Sequence, residues 1–310
     1  MSVMICASIA YDTVMVFDGR FKEHILPDRI HMLSVSFLVP QMRRNYGGVG
    51  GNIAFNLRLL GEQPLLMGTV GEDFDAYEAW LRRHGLSLAH VHRIPDTYTA
   101  QAFITTDLDD NQITAFHPGA MQHAAEYAVP ADGGISLGLV GPDARDAMIG
   151  HARQFAEASI PFIFDVGQGL PMFGGDELAA FIRQASWVIV NDYEAELIQE
   201  RTGLSPEAIA DQCRAYIVTR GAEGSRIHAD GKVIDVPVVA PERVVDPTGC
   251  GDAYRAGIIY GLTHGLDWAT TGRLASLIGA IKIAHHGTQS HQFTLEDIQT
   301  RFHGAFGYRF

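Results

Sequence analysis

Short apolar runs alternate with helical patterns through the second half of the chain. The apolar runs cover residues 160–165, 186–191 and 215–220, and the helical patterns cover residues 176–184 and 192–201. Alternation of this kind is typical of βα units, in which helices cover both faces of a parallel sheet. The pattern therefore predicts an α/β protein, and a buried first strand is expected within residues 3–9.

Polar residues stand at the ends of the three apolar runs. Asp165 closes the first run, Asn191 closes the second, and Thr219 lies at the end of the third. In open α/β sheets, ligands bind beyond the carboxyl ends of the strands. These residues are therefore candidates for a ligand site, and Asn191 is also expected to cap the helix that follows it.

The first half of the chain has a different pattern. Residues 97–106 and 112–116 flank the polar turn DLDDN and predict a β-hairpin. The segment 12–45, which includes Pro27, carries few helical signals. We expect this segment and about residues 97–117 to form a small β lid over the main sheet.

Two further helices are predicted towards the C-terminus. One begins near Gly251, and the other covers about residues 271–285, where apolar side chains recur at helical spacing. A stripe of this kind is typical of ordinary core packing. Together with the chain length, these patterns predict a single domain over residues 1–310.

The composition narrows the classes of partner. Of the 310 residues, 47% are hydrophobic and 19% are charged, so the chain can bury a sizeable core. The formal net charge of −13 disfavours nucleic acid and anionic membrane surfaces, although a local positive site could still hold a phosphorylated substrate. No apolar run approaches the roughly 18 residues of a membrane span.

The three cysteines, Cys6, Cys213 and Cys250, are widely spaced and form no CxxC pair. This usage fits a reducing compartment and predicts neither a disulfide framework nor a zinc site. Residues 1–10 carry no positive charge and no long apolar core, so they do not resemble a signal peptide. We therefore expect a cytoplasmic protein.

The segment 246–257, with the sequence DPTGCGDAYRAG, carries the strongest chemical signal. Residues 248–251 form a turn of small residues before a helix, so backbone N–H groups and the helix N-terminus can stabilise a transferring phosphoryl group. Asp252 follows in the first helical turn, where an ordinary pKa near ~3.9 leaves it ionised and able to accept a hydroxyl proton. An isolated GxGD would more simply be a turn whose aspartate complements the helix dipole, but the longer string is far more specific.

A second glycine-rich segment covers residues 47–61. Its four leading glycines precede a helix that Gly61 can end. The segment lacks both the Gly-Lys-Ser/Thr of a Walker loop and the glycine spacing of a dinucleotide-binding loop. From these residues alone, a tight loop with Asn52 as the helix cap is as good an interpretation as a ligand site.

Both glycine-rich segments resemble the signatures of the ribokinase family, also called the PfkB family of carbohydrate kinases. The resemblance extends over nearly the whole chain, with the motifs in the expected order. It implies an α/β fold of the ribokinase-like type, a three-layer αβα sandwich with a mostly parallel sheet and a small β lid.

The second signature of the family supplies the catalytic base and an anion hole. The matching residues are Asp252 for the base and the backbone of Gly249, Cys250 and Gly251 for the hole. Cys250 departs from the usual Ala or Ser, and a small thiol is expected to be tolerated because the hole uses backbone groups. The thiol is also expected to make the site sensitive to thiol reagents.

The first signature implies that Gly48 and Asn52 hold sugar hydroxyls. The family also places an aspartate after the first strand, and the matching residue here is Asp12. A single carboxylate there can accept hydrogen bonds from two hydroxyls. The alternative interpretation of Asp12 is an ordinary turn residue.

The resemblance further implies a site for ATP and Mg²⁺. Asn191 and Glu194 match an N-x-x-E motif that acts on Mg²⁺ and phosphate largely through water, as suits a cation that prefers oxygen ligands. The residues matched to the nucleotide loops are Thr219, Gly221, Gly224 and Thr248. The alternatives are a helix-capping Asn with a solvated Glu, and ordinary turns. Many family members also use a monovalent cation such as K⁺ beside the anion hole, and the sequence leaves that requirement open.

Within the family, the segments SIAYD, DGRF, GGVGGN and NQITAFHPGA look most like the branch of adenosine kinases and bacterial nucleoside kinases. The residues matched to the nucleoside site of that branch are Ser8, Asp12, Gly48, Asn52 and Gln168. Phe103 and Phe116 match aromatic side chains that sandwich the purine, an arrangement that suits a flat base better than a bare sugar. For each phenylalanine, core packing is the alternative.

The expected function is the transfer of the γ-phosphoryl group of ATP to the 5′-hydroxyl of a nucleoside, with adenosine, inosine, guanosine and cytidine left open. The first alternative is a sugar kinase of the same family, against which the aromatic pair argues. The second is a catalytically silent nucleoside-binding protein, against which Asp252, Asn191 and Glu194 argue. The expected partners are the nucleoside and ATP, and both a monomer and a homodimer stay open.

Overall fold

Two sheets contain the thirteen strands of the residues that the structure describes. The structure is a computed structural model, and it describes residues 2–25, 34–109, 111–131 and 134–310. Pro27 and Asp110, which belong to the predicted lid and its turn, lie outside the described residues.

Strands and helices alternate along much of the described chain. The strands are β1 Ser2–Cys6, β2 Ala10–Val16, β3 Gln41–Gly47, β4 Leu65–Val70, β5 Ser87–Arg93, β6 Ala100–Thr106, β7 Gln112–His117, β8 Ile135–Val140, β9 Phe162–Phe164, β10 Trp187–Asn191, β11 Ala215–Thr219, β12 Ser225–Ala229 and β13 Lys232–Val236. The helices are α1 Phe21–His24, α2 Val49–Leu59, α3 Asp75–Arg83, α4 Arg145–Glu157, α5 Gly175–Gln184, α6 Asp192–Thr202, α7 Pro206–Ala210, α8 Cys250–Thr263, α9 Trp268–Ile283 and α10 Leu295–Phe306.

The main sheet has nine strands in the order β13-β12-β11-β10-β9-β8-β1-β4-β5. The strands from β11 to β5 run parallel, and β12 and β13 extend the sheet as antiparallel strands. Successive side chains of a strand face opposite sides, so Met4 and Cys6 pack with α4, α5 and α6, whereas Val3 and Ile5 pack with α2, α8 and α9. The predicted three-layer αβα sandwich with a mostly parallel sheet is therefore confirmed.

The predicted polar strand ends are also confirmed. Asp165 directly follows β9, while Asn191 and Thr219 are the last residues of β10 and β11 and lie side by side in the sheet. Asn191 caps α6, because its side-chain oxygen accepts the N–H of Glu194 at 2.8 Å. These residues therefore gather at the carboxyl edge of the main sheet.

The starts of two helices differ from the expectation. The N-cap of α2 is Gly48 rather than Asn52, since a φ of 81° and a distance of 2.5 Å between an added Cβ and the nitrogen of Ala10 leave room only for glycine. The helix α9 begins earlier than expected because Asp267 caps it by accepting the N–H of Thr270 at 3.0 Å. In both helices, the residue that caps the N-terminus lies outside the apolar repeat from which the helix was predicted.

The second sheet has four strands in the order β3-β2-β6-β7. The chain leaves the main sheet after Cys6 and enters the second sheet at Ala10, so the first strand is shorter than residues 3–9. The predicted hairpin is confirmed by the antiparallel pairing of β6 and β7, and every residue of β7 is exposed. None of the described helices combines the length and the apolar character needed to cross a membrane.

Candidate active site

Residues 246–251 form a turn that leads into α8. The carboxylate of Asp246 accepts the N–H of Thr248 at 2.9 Å and that of Gly287 at 2.8 Å, so it ties the turn to a second loop. Burial alone would raise the pKa of Asp246, but these donors outweigh it and lower the pKa. Gly249 caps the helix at a φ of 79°, against the side chain of Thr288.

The backbone amides of this turn differ from the predicted anion hole at one position. The N–H of Cys250 donates to the carbonyl oxygen of Pro247 at 3.1 Å, so it is already occupied. Among the described residues, the N–H groups of Gly249, Gly251 and Asp252 have no backbone partner. These three donors, at the positive end of α8, are the ones that can bind an anion.

Asp252 lies in the first turn of α8, where another helix holds its carboxylate. The side-chain amide of Asn52, in α2, donates to Oδ2 of Asp252 at 2.8 Å. Burial raises the pKa of Asp252 to about 6, although the charge of Arg255 and the hydrogen bond from Asn52 oppose the shift. The ordinary pKa assumed from the sequence is therefore wrong for this site, and the carboxylate of Asp252 is mostly ionised only above about pH 6.

The position of Asn52 is itself fixed by a buried network. Gln289 donates to Oδ1 of Asn52 at 3.0 Å and to the hydroxyl of Tyr77 at 2.5 Å, and it accepts from the indole of Trp80 at 3.1 Å. The amide of Asn52 can therefore present only its N–H group to Asp252. The structure places Asn52 as a partner of Asp252, and its contact with a sugar hydroxyl stays a prediction.

Arg255 is a buried residue beside the anion site that the sequence interpretation did not include. Its Nη2 donates to Oδ1 of Asp165 at 2.6 Å, and its Nε lies against the other oxygen of that carboxylate. An added Cβ on Gly251 would lie 2.7 Å from Nη1, so this nitrogen is next to the turn. A lone arginine in the apolar helical stretch AYRAGIIYG was the available signal, since such a residue is buried only with a partner.

Asn191 and Glu194 are bonded to each other. The side-chain amide of Asn191 donates to Oε1 of Glu194 at 2.9 Å, and its backbone N–H donates to Oε2 at 2.9 Å. Glu194 is only 8% exposed, and burial raises its pKa, so it is not the solvated residue of the simpler interpretation. No group of three or more His, Cys, Asp or Glu in the described residues could hold a metal by itself. Mg²⁺ needs no such cluster, because it keeps several waters and binds through one or two carboxylates and substrate phosphates.

The predicted nucleotide-loop residues lie at the same edge of the sheet. Thr219 ends β11, and Gly221 and Gly224 lie in the loop that joins β11 to β12. Gln168 is exposed in a short 3₁₀ helix that follows β9, at the same carboxyl edge. Their contacts with a nucleotide or a nucleoside stay predictions.

Asp12 lies within β2 of the second sheet rather than directly after the first strand. An added Cβ on Gly47 would lie 2.4 Å from its Oδ2, so the glycine leaves the space that this carboxylate occupies. Burial raises the pKa of Asp12 to about 6, and the charges of Asp252 and Asp246 add to the shift. Ser8 accepts the N–H of Val49 at 3.2 Å, so it holds the start of α2 beside Asp12.

The predicted aromatic sandwich is wrong for this arrangement of strands. Phe116 pairs with Ala102, and Ala102 pairs with Asp12, so these side chains share one face of the second sheet. Phe103 is one residue further along β6 and points to the opposite face. Phe116 is 50% exposed on the Asp12 face and Phe103 is 39% exposed on the other, so they cannot flank one base.

The thiol of Cys250 is less reactive than expected. Burial raises its pKa to about 11, although the charge of Lys282 opposes the shift. Thiolates rather than thiols react with alkylating reagents, so little reactive species exists near neutral pH. The sensitivity to thiol reagents that the sequence suggested is therefore not favoured by this environment.

A family model that describes the pfkB carbohydrate kinases matches residues 12–294, a range that includes every site residue described above except Ser8. The chain belongs to this family. The pfkB protein described here is 30% identical to a nucleoside kinase of Methanothermobacter thermautotrophicus over 96% of this chain and 97% of that protein. It is 28% identical to a nucleoside kinase of Methanocaldococcus jannaschii, over 86% of this chain and 89% of that protein.

A solved structure gives a stronger similarity. The nucleoside kinase of Burkholderia thailandensis, solved in complex with inosine, is 51% identical, covers 99% of both chains and superposes with a TM-score of 0.90. The same protein was also solved with ADP-inosine, at 52% identity and a TM-score of 0.87. The resemblance to the nucleoside kinase branch of the pfkB family is thereby confirmed.

The second sheet of this pfkB protein adds residues that the motifs do not include. The register places Asn45 opposite Asp12 and Arg43 opposite Val14, so both share the face of Asp12. An added Cβ on Gly287 would lie 3.3 Å from Asn45, which brings this side chain to the loop that Asp246 holds. Their position depends on strand register, which the sequence alone does not show.

Proposed function

We propose that this protein transfers the γ-phosphoryl group of ATP to the 5′-hydroxyl of a nucleoside, with inosine as the first acceptor to test. The observation that carries the proposal is the environment of Asp252. Its carboxylate is held by Asn52 and lies in the same helical turn as the N–H groups of Gly249 and Gly251, which have no partner among the residues that the structure describes. A base and an anion site in one turn are what transfer to a hydroxyl requires.

A nucleoside acceptor is supported by similarity and by one aromatic side chain. The Burkholderia thailandensis relative is a nucleoside kinase solved with inosine, and it covers nearly the whole of this chain. Phe116 offers an exposed ring on the face of Asp12, where a flat base could stack. Asp12 would accept hydrogen bonds from two ribose hydroxyls, beside Ser8 and Gly48.

The chemical step is a single displacement in which atoms and charge balance. Asp252 accepts the proton of the 5′-hydroxyl, the oxygen forms a bond to the γ-phosphorus, and the bond to the leaving ADP oxygen breaks. The N–H groups of Gly249 and Gly251, with the helix N-terminus, stabilise the charge on the equatorial oxygens. Arg255 adds a positively charged guanidinium beside Gly251. Its position is fixed before the substrate binds, because it is hydrogen-bonded to Asp165.

The nucleotide would lie along the carboxyl edge of the main sheet. The residues proposed to border it are Asn191, Thr219, Gly221, Gly224 and Thr248. Mg²⁺, bound through water by Glu194 and Asn191, would neutralise phosphate charge. We further propose that the second sheet is a lid over a single domain, and that its closure on the nucleoside excludes water from the phosphoryl group.

The test is ADP release with ATP and Mg²⁺ against inosine, adenosine, guanosine, cytidine, ribose and fructose. We expect turnover on one or more nucleosides and none on the two sugars, with a 5′-monophosphate as the product. Turnover on sugars alone would contradict the nucleoside assignment and leave the role of Asp252 intact. An absence of turnover on every acceptor, in protein shown to bind ATP, would contradict the proposed function.

A further inference from the structure

Lys282 is a buried lysine that has no role in the phosphoryl transfer proposed above. It lies in the last turn of α9 and is 0% exposed. Both of its hydrogen bonds go to backbone carbonyl oxygens, that of Asp246 at 2.7 Å and that of His285 at 3.3 Å. Lysine is almost never fully buried unless it is paired, and burying a charge costs free energy, so a role is expected for it.

The two carbonyls belong to the two segments that form the anion-binding turn and its support. Asp246 begins the turn, and its carboxylate holds the N–H groups of Thr248 and Gly287. The N–H groups of Val245 and Asp246 both donate to the carbonyl of Ile283, at 2.9 and 3.1 Å. The ammonium therefore joins the start of the turn to the segment that follows α9.

The charge of Lys282 reaches the reacting groups. Its ammonium lies 2.7 Å from the carbonyl oxygen of Asp246, which begins the turn, and its charge opposes the rise in the pKa of both Cys250 and Asp252. Burial lowers the pKa of Lys282 itself, and the charges of Asp246, Cys250 and Asp252 oppose that shift. A positive charge in a site of low dielectric acts on a developing anion more strongly than it would in water.

We propose that Lys282 is a positioning residue that serves as a built-in monovalent cation, held by backbone carbonyls beneath the anion-binding turn. Carbonyl oxygens are also the groups that replace the hydration shell of K⁺ in proteins. Because the ammonium occupies the place that they form, the protein requires no K⁺ for activity. This inference rests on the phosphoryl transfer proposed above.

The first experiment compares wild-type turnover in potassium, sodium and choline chloride at constant ionic strength, with ATP, Mg²⁺ and inosine. The three rates are expected to agree within about twofold, since only general ionic strength should matter. A tenfold or greater dependence on K⁺ would overturn the inference.

The second experiment uses Lys282→Ala, which leaves a space lined by the two carbonyls, and Lys282→Met, which fills that space without charge. In choline chloride both variants are expected to lose about 10²-fold in kcat, with little change in the KM for inosine. Potassium or ammonium ions should restore at least tenfold of the loss in Lys282→Ala and none in Lys282→Met. A loss that no cation restores in Lys282→Ala would assign the residue a purely structural role.

A third measurement separates this inference from the proposed function. Thermal unfolding of the unliganded proteins in potassium and choline chloride needs no turnover. A rise in Tm specific to potassium is expected for Lys282→Ala, and none for wild type or Lys282→Met. A potassium-specific rise in wild type would contradict the inference even if no acceptor were turned over. If Lys282→Ala does not fold, the wild-type comparison still decides.

Discussion

The two sides of the candidate site differ in how their side chains are held. At the start of α8, Asp252 is bonded to Asn52, and Arg255 is bonded to the buried carboxylate of Asp165. On the second sheet, every residue of β7 is exposed, and Phe116 presents half of its surface to solvent. Groups that stabilise a transition state gain most when they are oriented in advance, whereas a surface that binds a substrate can be completed by the substrate and by closure.

The largest expected effect tests the pre-oriented side. The substitution Asp252→Asn removes the proton acceptor while keeping a group that can bond to Asn52. We expect kcat to fall by about 10²–10⁴-fold with the Kd for inosine changed by less than about threefold. Steady-state kinetics and calorimetric titration measure the two quantities. A variant with normal kcat would show that another group accepts the proton.

The next effect concerns the buried ion pair. Arg255→Met should lower kcat by about 10²-fold, because a fixed positive charge beside the anion site is lost. It should also cost about 3–5 kcal/mol of stability, since the carboxylate of Asp165 is left buried and unpaired.

A matched double variant separates these two consequences. Asp165→Asn combined with Arg255→Met removes both charges, so denaturant unfolding is expected to show much of the stability restored. The kcat should stay low if Arg255 acts on the reaction. Recovery of kcat together with stability would show that the ion pair only supports the fold.

The pH dependence is expected to be smaller, at about tenfold per pH unit over the acid range. Asp252 has a pKa of about 6, so kcat/KM should fall as the pH drops below that value and the base becomes protonated. Asp12 ionises in the same range, so the two groups titrate as a coupled pair. A profile that is flat between pH 5 and pH 7 would contradict the assignment of the base.

The same groups should act on stability with the opposite sign. The pKa of Asp12 is raised on folding from the ordinary value of 3.8 to about 6. Its contribution to stability is therefore complete below the unfolded value and is lost as the pH rises through the folded one. The Tm advantage of Asp12→Asn over wild type is expected to grow between pH 4 and pH 7. Thermal unfolding at both pH values measures it, and an equal advantage at both would show that Asp12 is not shifted.

The last effect tests the exposed side and the asymmetry of its two faces. Stacking of a base on an aromatic ring is worth about 1–3 kcal/mol, so Phe116→Ala should raise the KM for inosine by about 5–160-fold. Phe103→Ala is the matched control on the opposite face and should change KM by less than about twofold. Equal losses from the two variants would show that the faces do not differ in binding.

The turn that leads into α8 could be predicted from the sequence because its residues are close together in the chain. Gly249 and Asp252 are three residues apart, and a helix that begins between them brings backbone amides and a carboxylate into one turn whatever the rest of the fold does. The strand ends were predictable for a similar reason, since Asp165 and Asn191 each follow an apolar run directly. The interpretation of Phe103 and Phe116 failed because a pairing of strands set by register decides which face each side chain takes.

The sequence by itself therefore determined the layered α/β fold, the turn that carries Asp252 and the polar ends of the strands, because each depends on residues close together in the chain. The tertiary structure alone decided the groups that tune this turn. Asn52 donates a hydrogen bond to Asp252 from another helix, and Arg255 donates one to Asp165, which follows β9. Lys282, at the end of α9, donates one to the carbonyl of Asp246. Burial and pairing of charged groups arise only when distant segments pack together, and they set both the pKa of Asp252 and the position of the turn before α8.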